Sequence, residues 1–312
     1  MRLGFLYAGQ GTQHPGMGAD LYAAFPAFRA VFDGAEAGFD LKSVCFSDPD
    51  GVLNQTEFTQ PCMVAFAAGL TAVLRQLGIV PAVAAGLSLG EYSALHAAGV
   101  WDAQTAIRTA AFRGQAMAKA ALGVDCAMVA VLGLDRDALA QVCAEVSALG
   151  TAELCNYNCP GQVVIGGESA AVSRAAELAR ERGARRCLPL KVSGPFHTSL
   201  LQSAGDALRE YFQSVSFEPP VIPVLFNCLG REMGPGDTIP GLLERQVYSS
   251  VYLEDCIRRM AELGVDAVVE IGPGRALSGF VRKTVPELPV FAVETAEEAM
   301  LLPELLKGME CK

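Results

Sequence analysis

Histidine and tryptophan are scarce in this sequence, three and one in 312 residues, and positive charge is outnumbered: 24 lysines and arginines against 34 aspartates and glutamates. The net charge of −10 and pI near 4.9 leave no general field to hold a polyanion, which excludes nucleic acid as principal partner. No run reaches the roughly 18 consecutive apolar residues of a membrane span. The apolar start, MRLGFLYAGQ, is too short and too broken by glycine for the core of a secretion signal. The ten cysteines include no Cys-x-x-Cys pair, and the closest two, Cys155 and Cys159, lack the second pair a zinc site needs. They are expected to be reduced and mostly buried, in a cytoplasmic protein with no membrane association and no metal.

What the chain does have is core material: 51% of its residues are apolar and 19% charged. Its length suits one large domain or two smaller ones. Leu3–Ala8 reads as a buried strand ending in the loop Gly9-Gln10-Gly11-Thr12-Gln13. A helix is expected over Met63–Leu77, with Pro61 near its start and Gly78 as its stop. A strand at Ala82–Gly86 turns sharply at Ser88 into a helix through His96, and a further helix, N-capped by Asp102, carries Arg113. Between Ala127 and Val192 the order changes. Strand Ala127–Gly133, helix Arg136–Ser147, strand Ala152–Tyr157, turn Asn158–Gly161, strand Gln162–Gly166, helix Ala170–Arg182 and strand Arg186–Val192 make a βαββαβ unit, the split-βαβ pattern. Asp266–Ile271 then returns to a buried parallel strand. The fold class is therefore α/β: a hydrolase-like parallel-sheet large domain (residues 1–124 and 194–312) with an inserted ferredoxin-like subdomain (125–193).

Gly86-Leu87-Ser88-Leu89-Gly90, between an apolar strand and a helix, has the form of a nucleophile elbow. The turn is so tight that its flanks must be glycine. The serine oxygen then sits at a helix N-terminus, where N–H groups can receive an oxyanion. A serine nucleophile needs a base. His96 falls two turns along the helix from Ser88, and nothing orients His14. His197, in the constrained loop Ser193-Gly194-Pro195-Phe196-His197-Thr198, can reach the elbow across a cleft and is the base by elimination. An α/β-hydrolase places its histidine late in the domain. Here over a hundred residues follow His197, including a core strand, and an insertion separates it from the serine.

From Gly4 to about Lys283 the chain resembles the malonyl-CoA:acyl-carrier-protein transacylases of fatty-acid synthesis. The resemblance is carried by Gly9–Gln13, Gly86–Glu91, Arg113-Gly114-Gln115-Ala116-Met117, Asn156–Gln162, Gly194-Pro195-Phe196-His197, the segment from Gln246, and Glu270-Ile271-Gly272-Pro273-Gly274. It implies that Ser88 attacks the malonyl-CoA thioester with His197 as base. Backbone N–H groups of Gln10 and Leu89 would form the oxyanion hole, and a backbone carbonyl near Gln246 would orient the histidine. Arg113 would clamp the free carboxylate of malonate through two parallel hydrogen bonds, which an acetyl group leaves unfilled. Gln246 is grouped with Arg113 as substrate-binding. Phe196 resembles the malonyl-selective pattern. The resemblance further implies ping-pong transfer to the phosphopantetheine thiol of acyl carrier protein, no cofactor beyond the coenzyme A thioester substrate, and a monomer.

Five residues depart from that pattern. Leu87 replaces the usual histidine, a change expected to leave the acylation chemistry intact. After Gln246, Ser250 replaces a proline and Tyr252 and Leu253 an arginine and a tryptophan, changes expected to loosen the wall behind His197. Cys159 stands where serine is common. The alternatives left open are a trans-acting acyltransferase or acyl-hydrolase of a polyketide synthase, and a catalytically idle partner in a synthase complex. Because carrier proteins are acidic, the docking surface is expected among Arg182, Arg185, Arg186, Lys191, Arg275, Arg282 and Lys283.

Overall fold

The computed structural model describes residues 1–310. Four fully parallel strands, β1 (Leu3–Tyr7), β2 (Val83–Gly86), β7 (Ala267–Ile271) and β8 (Val290–Val293), form a sheet in the order β2-β1-β7-β8. The strands β1, β2 and β7 are buried throughout, as continuous apolar runs covered on both faces must be. Residues 19–46, where no element was expected, form three short helices: α1 (Ala19–Ala24), α2 (Pro26–Asp33) and α3 (Leu41–Phe46).

Helix α4 (Thr56–Gln76) is long and apolar enough to cross a membrane, but 83% of that stretch is buried inside the protein, where it is the core helix. It begins before the position expected from Pro61, which lies inside it. The turn ahead of the proline is held helical by side chains. Thr59 Oγ1 donates to the Gln55 carbonyl at 3.0 Å and Gln60 Nε2 to Thr56 Oγ1 at 2.9 Å. Against it packs α6 (Ala103–Ala121), whose N-cap Asp102 accepts from the Thr105 N–H at 2.7 Å. The elbow helix α5 (Gly90–Ala97) follows β2 directly.

The second sheet is drawn entirely from β3 (Cys126–Leu132), β4 (Ala152–Cys159), β5 (Gln162–Glu168) and β6 (Arg186–Pro189), all pairings antiparallel, in the order β4-β5-β3-β6. Helices α7 (Arg136–Glu145) and α8 (Ser169–Glu181) complete the βαββαβ unit. Period-two alternation assigns its two faces: Val129, Val131, Val163 and Ile165 form a separate small core, while Met128, Ala130, Cys155 and Val164 join the main core. Strand β6 is shorter than expected. It ends at Pro189, although Leu190 N–H still donates to the Met128 carbonyl of β3 at 2.9 Å, and residues 190–193 line the cleft.

Helices α12 (Ala276–Thr284) and α13 (Ala296–Glu310) pack on β8, α11 (Leu253–Glu262) lies between β2 and β4, and α9 (Gln202–Tyr211) packs on α6 and on α10 (Ile239–Gln246). Nine cysteines are free and all but Cys126 are buried; Cys311 lies outside the described residues.

Candidate active site

The register of β1 on β2 places the site. Tyr7 pairs with Gly86, so both strands end at one level and the loop after β1 lies beside the elbow after β2. Leu87 N–H donates to the Tyr7 carbonyl at 3.0 Å. Ser88 has φ 52°, the left-handed region that costs a non-glycine residue on the order of 1–3 kcal/mol and persists only when its surroundings enforce it. The need for glycine at the flanks is steric: a Cβ on Gly86 would lie 2.0 Å from the Gly90 carbonyl carbon, and one on Gly90 2.2 Å from the Tyr7 oxygen.

His197 comes from the loop between β6 and α9 and also has a left-handed backbone, φ 64°. Its Nε2 lies 2.7 Å from Ser88 Oγ, and its Nδ1 lies 2.8 Å from the Gln246 carbonyl. A carbonyl only accepts, so Nδ1 carries the proton and Nε2 presents its lone pair to the serine hydroxyl. Burial, reinforced by the Arg113 cation, lowers the His197 pKa to about 4, against the opposing pull of hydrogen bonds to the Gln246 and Ser249 backbone. The imidazole is therefore neutral at pH 7, the form a general base requires. His96 is buried elsewhere, with Nδ1 3.0 Å from the Trp101 carbonyl, and His14 sits on the surface 2.6 Å from Glu294 Oε1. Neither meets the cleft.

Arg113 on α6 is 1% exposed. Its Nη1 donates to Gln60 Oε1 at 2.8 Å, and its Nη2 to Gln246 Oε1 at 2.8 Å and Ser88 Oγ at 3.1 Å, while its Cζ stands 5.3 Å from the Tyr92 ring centroid. No carboxylate forms an ion pair with it among the described residues, and its buried Nε has no hydrogen-bond partner. A guanidinium stays ionised even when buried. The site therefore holds a buried cation in contact with the Ser88 hydroxyl and without an ion-pair partner, its nearest carboxylate influence being the buried Glu91, an arrangement that favours an anion from outside.

Gln246 is fully buried and stands behind the site rather than in it. Its Oε1 accepts from Arg113, its carbonyl from His197, and its Nε2 donates to the Ser88 carbonyl at 2.9 Å. One residue at the end of α10 thus fixes the other three. The wall after it, changed at Ser250, Tyr252 and Leu253, is tied down. Val247 accepts from His197 N–H at 3.2 Å, and Val251 exchanges 2.8 Å hydrogen bonds with Cys155 and Tyr157 of β4. Ser250 Oγ donates to Leu154 at 2.6 Å, and Tyr252 stacks on Tyr157 at 4.9 Å. The expected loosening is absent.

Ser88, His197 and Arg113 open into a cavity of about 720 Å³, which Gln10, Leu89 and Phe196 also line. Neither Gln10 nor Leu89 donates its backbone N–H to another group among the described residues, so both are free for an oxyanion. Leu87 lines the same cavity. A second cavity of about 870 Å³, between α7, β4 and residues 245–252, meets His197 from the far side but does not touch Ser88. Among the described residues no group of three His, Cys, Asp or Glu could hold a metal ion.

Sequence reasoning missed Gln60, which steers Arg113, and Asn227, which holds the Ser88 N–H at 2.6 Å. A polar residue interrupting the otherwise apolar run Val224–Leu229 was the one available signal for the latter.

A family model described as the acyl transferase domain matches residues 4–311. The malonyl CoA-acyl carrier protein transacylase of Bacillus subtilis is 38% identical over 309 residues, 98% of this chain and 98% of its own. That of Escherichia coli K12 is 38% identical over 292 residues, 93% and 94%. The crystal structure of malonyl CoA-acyl carrier protein transacylase from Clostridium perfringens superposes with a TM-score of 0.96 at 38% identity, covering 100% of this chain and 99% of that one. A type II PKS acyl-carrier protein in complex with its malonyl-transacylase matches at TM-score 0.93 and 36% identity, covering 98% and 100%. With a nucleophile elbow, a neutral histidine and a buried arginine in one cleft, and likeness of this extent, the chain belongs to the acyl transferase domain family.

Proposed function

We propose that this protein transfers the malonyl group of malonyl-CoA to the phosphopantetheine thiol of acyl carrier protein through a malonyl ester on Ser88. The observation that carries this reading is the buried Arg113 guanidinium, without an ion-pair partner among the described residues, 3.1 Å from Ser88 Oγ. An acyl group ending in a carboxylate satisfies it, and a plain acetyl group does not. The relatives' names point the same way.

In the first half-reaction Ser88 Oγ attacks the thioester carbonyl and His197 Nε2 takes the hydroxyl proton. The N–H groups of Gln10 and Leu89 hold the oxyanion. Collapse breaks the C–S bond, and His197 returns the proton to the departing thiolate of coenzyme A. In the second half-reaction His197 takes the proton of the pantetheine thiol, sulfur attacks the ester, and the C–O bond breaks as Ser88 regains its proton. The thioester is itself the substrate and the cycle is redox-neutral, so the chemistry as read needs no cofactor. We read the protein as a cytoplasmic monomer.

Likeness to the malonyl-transacylase in complex with a type II PKS acyl-carrier protein supports a second reading of the pathway, malonyl loading of a polyketide carrier by the same chemistry.

The test is intact-mass measurement after incubation with malonyl-CoA or acetyl-CoA. A malonyl adduct on Ser88, absent from Ser88→Ala and discharged by carrier protein, is the expected result. Equal acetylation removes the Arg113 argument, and no adduct with either thioester overturns the reading.

A further inference from the structure

Ser88 is held in a backbone conformation it would not adopt alone, and the restraint comes from a residue 139 positions away. The Asn227 side-chain amide spans the elbow. Its Oδ1 accepts from Ser88 N–H at 2.6 Å, and its Nδ2 donates to the Gly86 carbonyl at 2.7 Å. A primary amide offers a donor and an acceptor side by side, the pair needed to bridge a C=O and an N–H two residues apart. Asn227 is itself fully buried and pinned. Its backbone N–H donates to Glu91 Oε2 at 2.5 Å, and its carbonyl accepts from Tyr252 N–H at 2.8 Å. Glu91 lies in the first turn of the helix that follows the elbow, so the bond to Asn227 closes a ring around the turn: Gly86, Ser88, Glu91 and back.

We propose that Asn227 is a positioning residue for acyl transfer, fixing the left-handed Ser88 by bridging both sides of its turn, with Glu91 anchoring Asn227 in place. Two mechanistic consequences distinguish this from mere core packing. First, the Ser88 peptide groups are held on both sides, its N–H by Asn227 and its carbonyl by Gln246 Nε2, so the hydroxyl is aimed at His197 before substrate arrives. Second, the Ser88 N–H is spent on Asn227 and cannot face an oxyanion, leaving that task to the next N–H along the chain, Leu89.

The role presupposes Ser88 as the nucleophile, and its test separates the two claims. Wild type and Asn227→Ala are each treated with malonyl-CoA and, separately, with a fluorophosphonate probe. In the latter reaction Ser88 oxygen bonds to phosphorus, fluoride leaves, and His197 takes the proton. Asn227→Ala is expected to slow both reactions by about 100-fold, while the half-saturating malonyl-CoA concentration stays within twofold. Equal rates in the two proteins by both reagents overturn the proposal. A wild type that reacts with the phosphonate but not with malonyl-CoA overturns the malonyl reading and leaves Asn227 to be judged on the phosphonate alone.

Should thermal unfolding show Asn227→Ala to be unfolded, Asn227→Asp decides. A protonated Asp reproduces the amide, donating to Gly86 and accepting from Ser88, whereas an ionised one repels the Gly86 carbonyl. The titratable groups around it are Glu91 on α5, the neighbouring Cys228, and Cys256 on α11, with Arg245 on Cys228. The rate of Asn227→Asp at pH 5.5 relative to pH 7.5 is expected to exceed the wild-type ratio at least tenfold. A pH profile that tracks wild type overturns the proposal.

Discussion

His197 leans on a neutral oxygen: its Nδ1 donates to the Gln246 carbonyl at 2.8 Å, where a serine triad would place a carboxylate. A carbonyl fixes the tautomer but stabilises an imidazolium far less than an anion does. Burial and the nearby Arg113 cation therefore go unopposed by any negative partner, and the pKa falls to about 4. The loading rate is thus expected to show no acid limb near the ordinary histidine value of 6.5. Single-turnover malonylation between pH 4.5 and 8 measures this. A limb near 6.5 that persists in Glu91→Gln would show that the base titrates normally.

Glu91 and His197 perturb stability in opposite senses. The His197 pKa is depressed from 6.5 to about 4, so between those values the unfolded chain binds the extra proton and stability rises with pH. Glu91, fully buried, is raised from 4.5 to about 7, chiefly by desolvation, so there the folded protein binds the extra proton and stability falls with pH. From pH 4.5 to 6.5 the two slopes cancel. Glu91→Gln removes one of them. Its unfolding free energy is expected to rise by about 1 kcal/mol per pH unit relative to wild type across that window. Urea titrations at four pH values decide it, and parallel curves would refute it.

Arg113→Ala is expected to erase substrate selection rather than reactivity. Ser88 and His197 keep their 2.7 Å contact, but the carboxylate loses its partner. The kcat/KM ratio for malonyl-CoA over acetyl-CoA should fall at least tenfold, the equivalent of about 1.4 kcal/mol. Lysine is not expected to rescue it, because a single ammonium cannot serve Gln60, Gln246 and Ser88 from one plane. Competition between the two thioesters, read by intact mass, measures the ratio.

The parts of this design legible in the sequence are those whose cause is local. Gly86 and Gly90 announce the elbow because the clash that forbids a Cβ lies within the turn or on the adjoining strand. Asp102 announces a helix because it caps the N–H three residues on. The βαββαβ order followed from alternating periods. What stayed hidden is settled by register between distant segments. Gln246 was readable as part of a family segment, but its three-way grip on Arg113, His197 and Ser88 depends on where α10 ends against the elbow. Asn227 lies on an irregular stretch beside β2, joined to it at Ala84–Val224, and no periodicity marks it. The helix start at Thr56 was missed because Pro61 outweighs, in sequence, the side-chain bonds that hold the turn before it.

The steric account of the elbow predicts a sharp contrast between two glycines. Gly86→Ala drives a Cβ to 2.0 Å from backbone that cannot move without unmaking the turn, and is expected to destabilise by more than about 3 kcal/mol or prevent folding. Gly308→Ala, on α13 with open space around it, should be neutral or stabilise by up to about 1 kcal/mol. Thermal melts of the two variants test this, and similar shifts would undo the argument.

The surface offers a choice among cations for the acidic carrier protein. Arg182 is committed to Glu145 and Arg275 to Glu298, which leaves Arg185, Arg186, Lys191, Arg282 and Lys283 without ion pairs among the described residues. Lys191 alone of these lines the cavity that holds Ser88 and His197, on the segment that follows β6 after Pro189. Lys191→Glu is therefore expected to raise the half-saturating carrier-protein concentration several-fold, more steeply at low salt, because the lost attraction is screened beyond roughly 10 Å at 0.1 M ionic strength. Malonylation of Ser88 from malonyl-CoA should stay within twofold, and Arg182→Glu, which removes a cation already neutralised, should change carrier transfer little. Measuring the two half-reactions separately distinguishes docking from chemistry: an equal loss in both would assign Lys191 to the active site, and no loss in either would move the docking surface away from this rim.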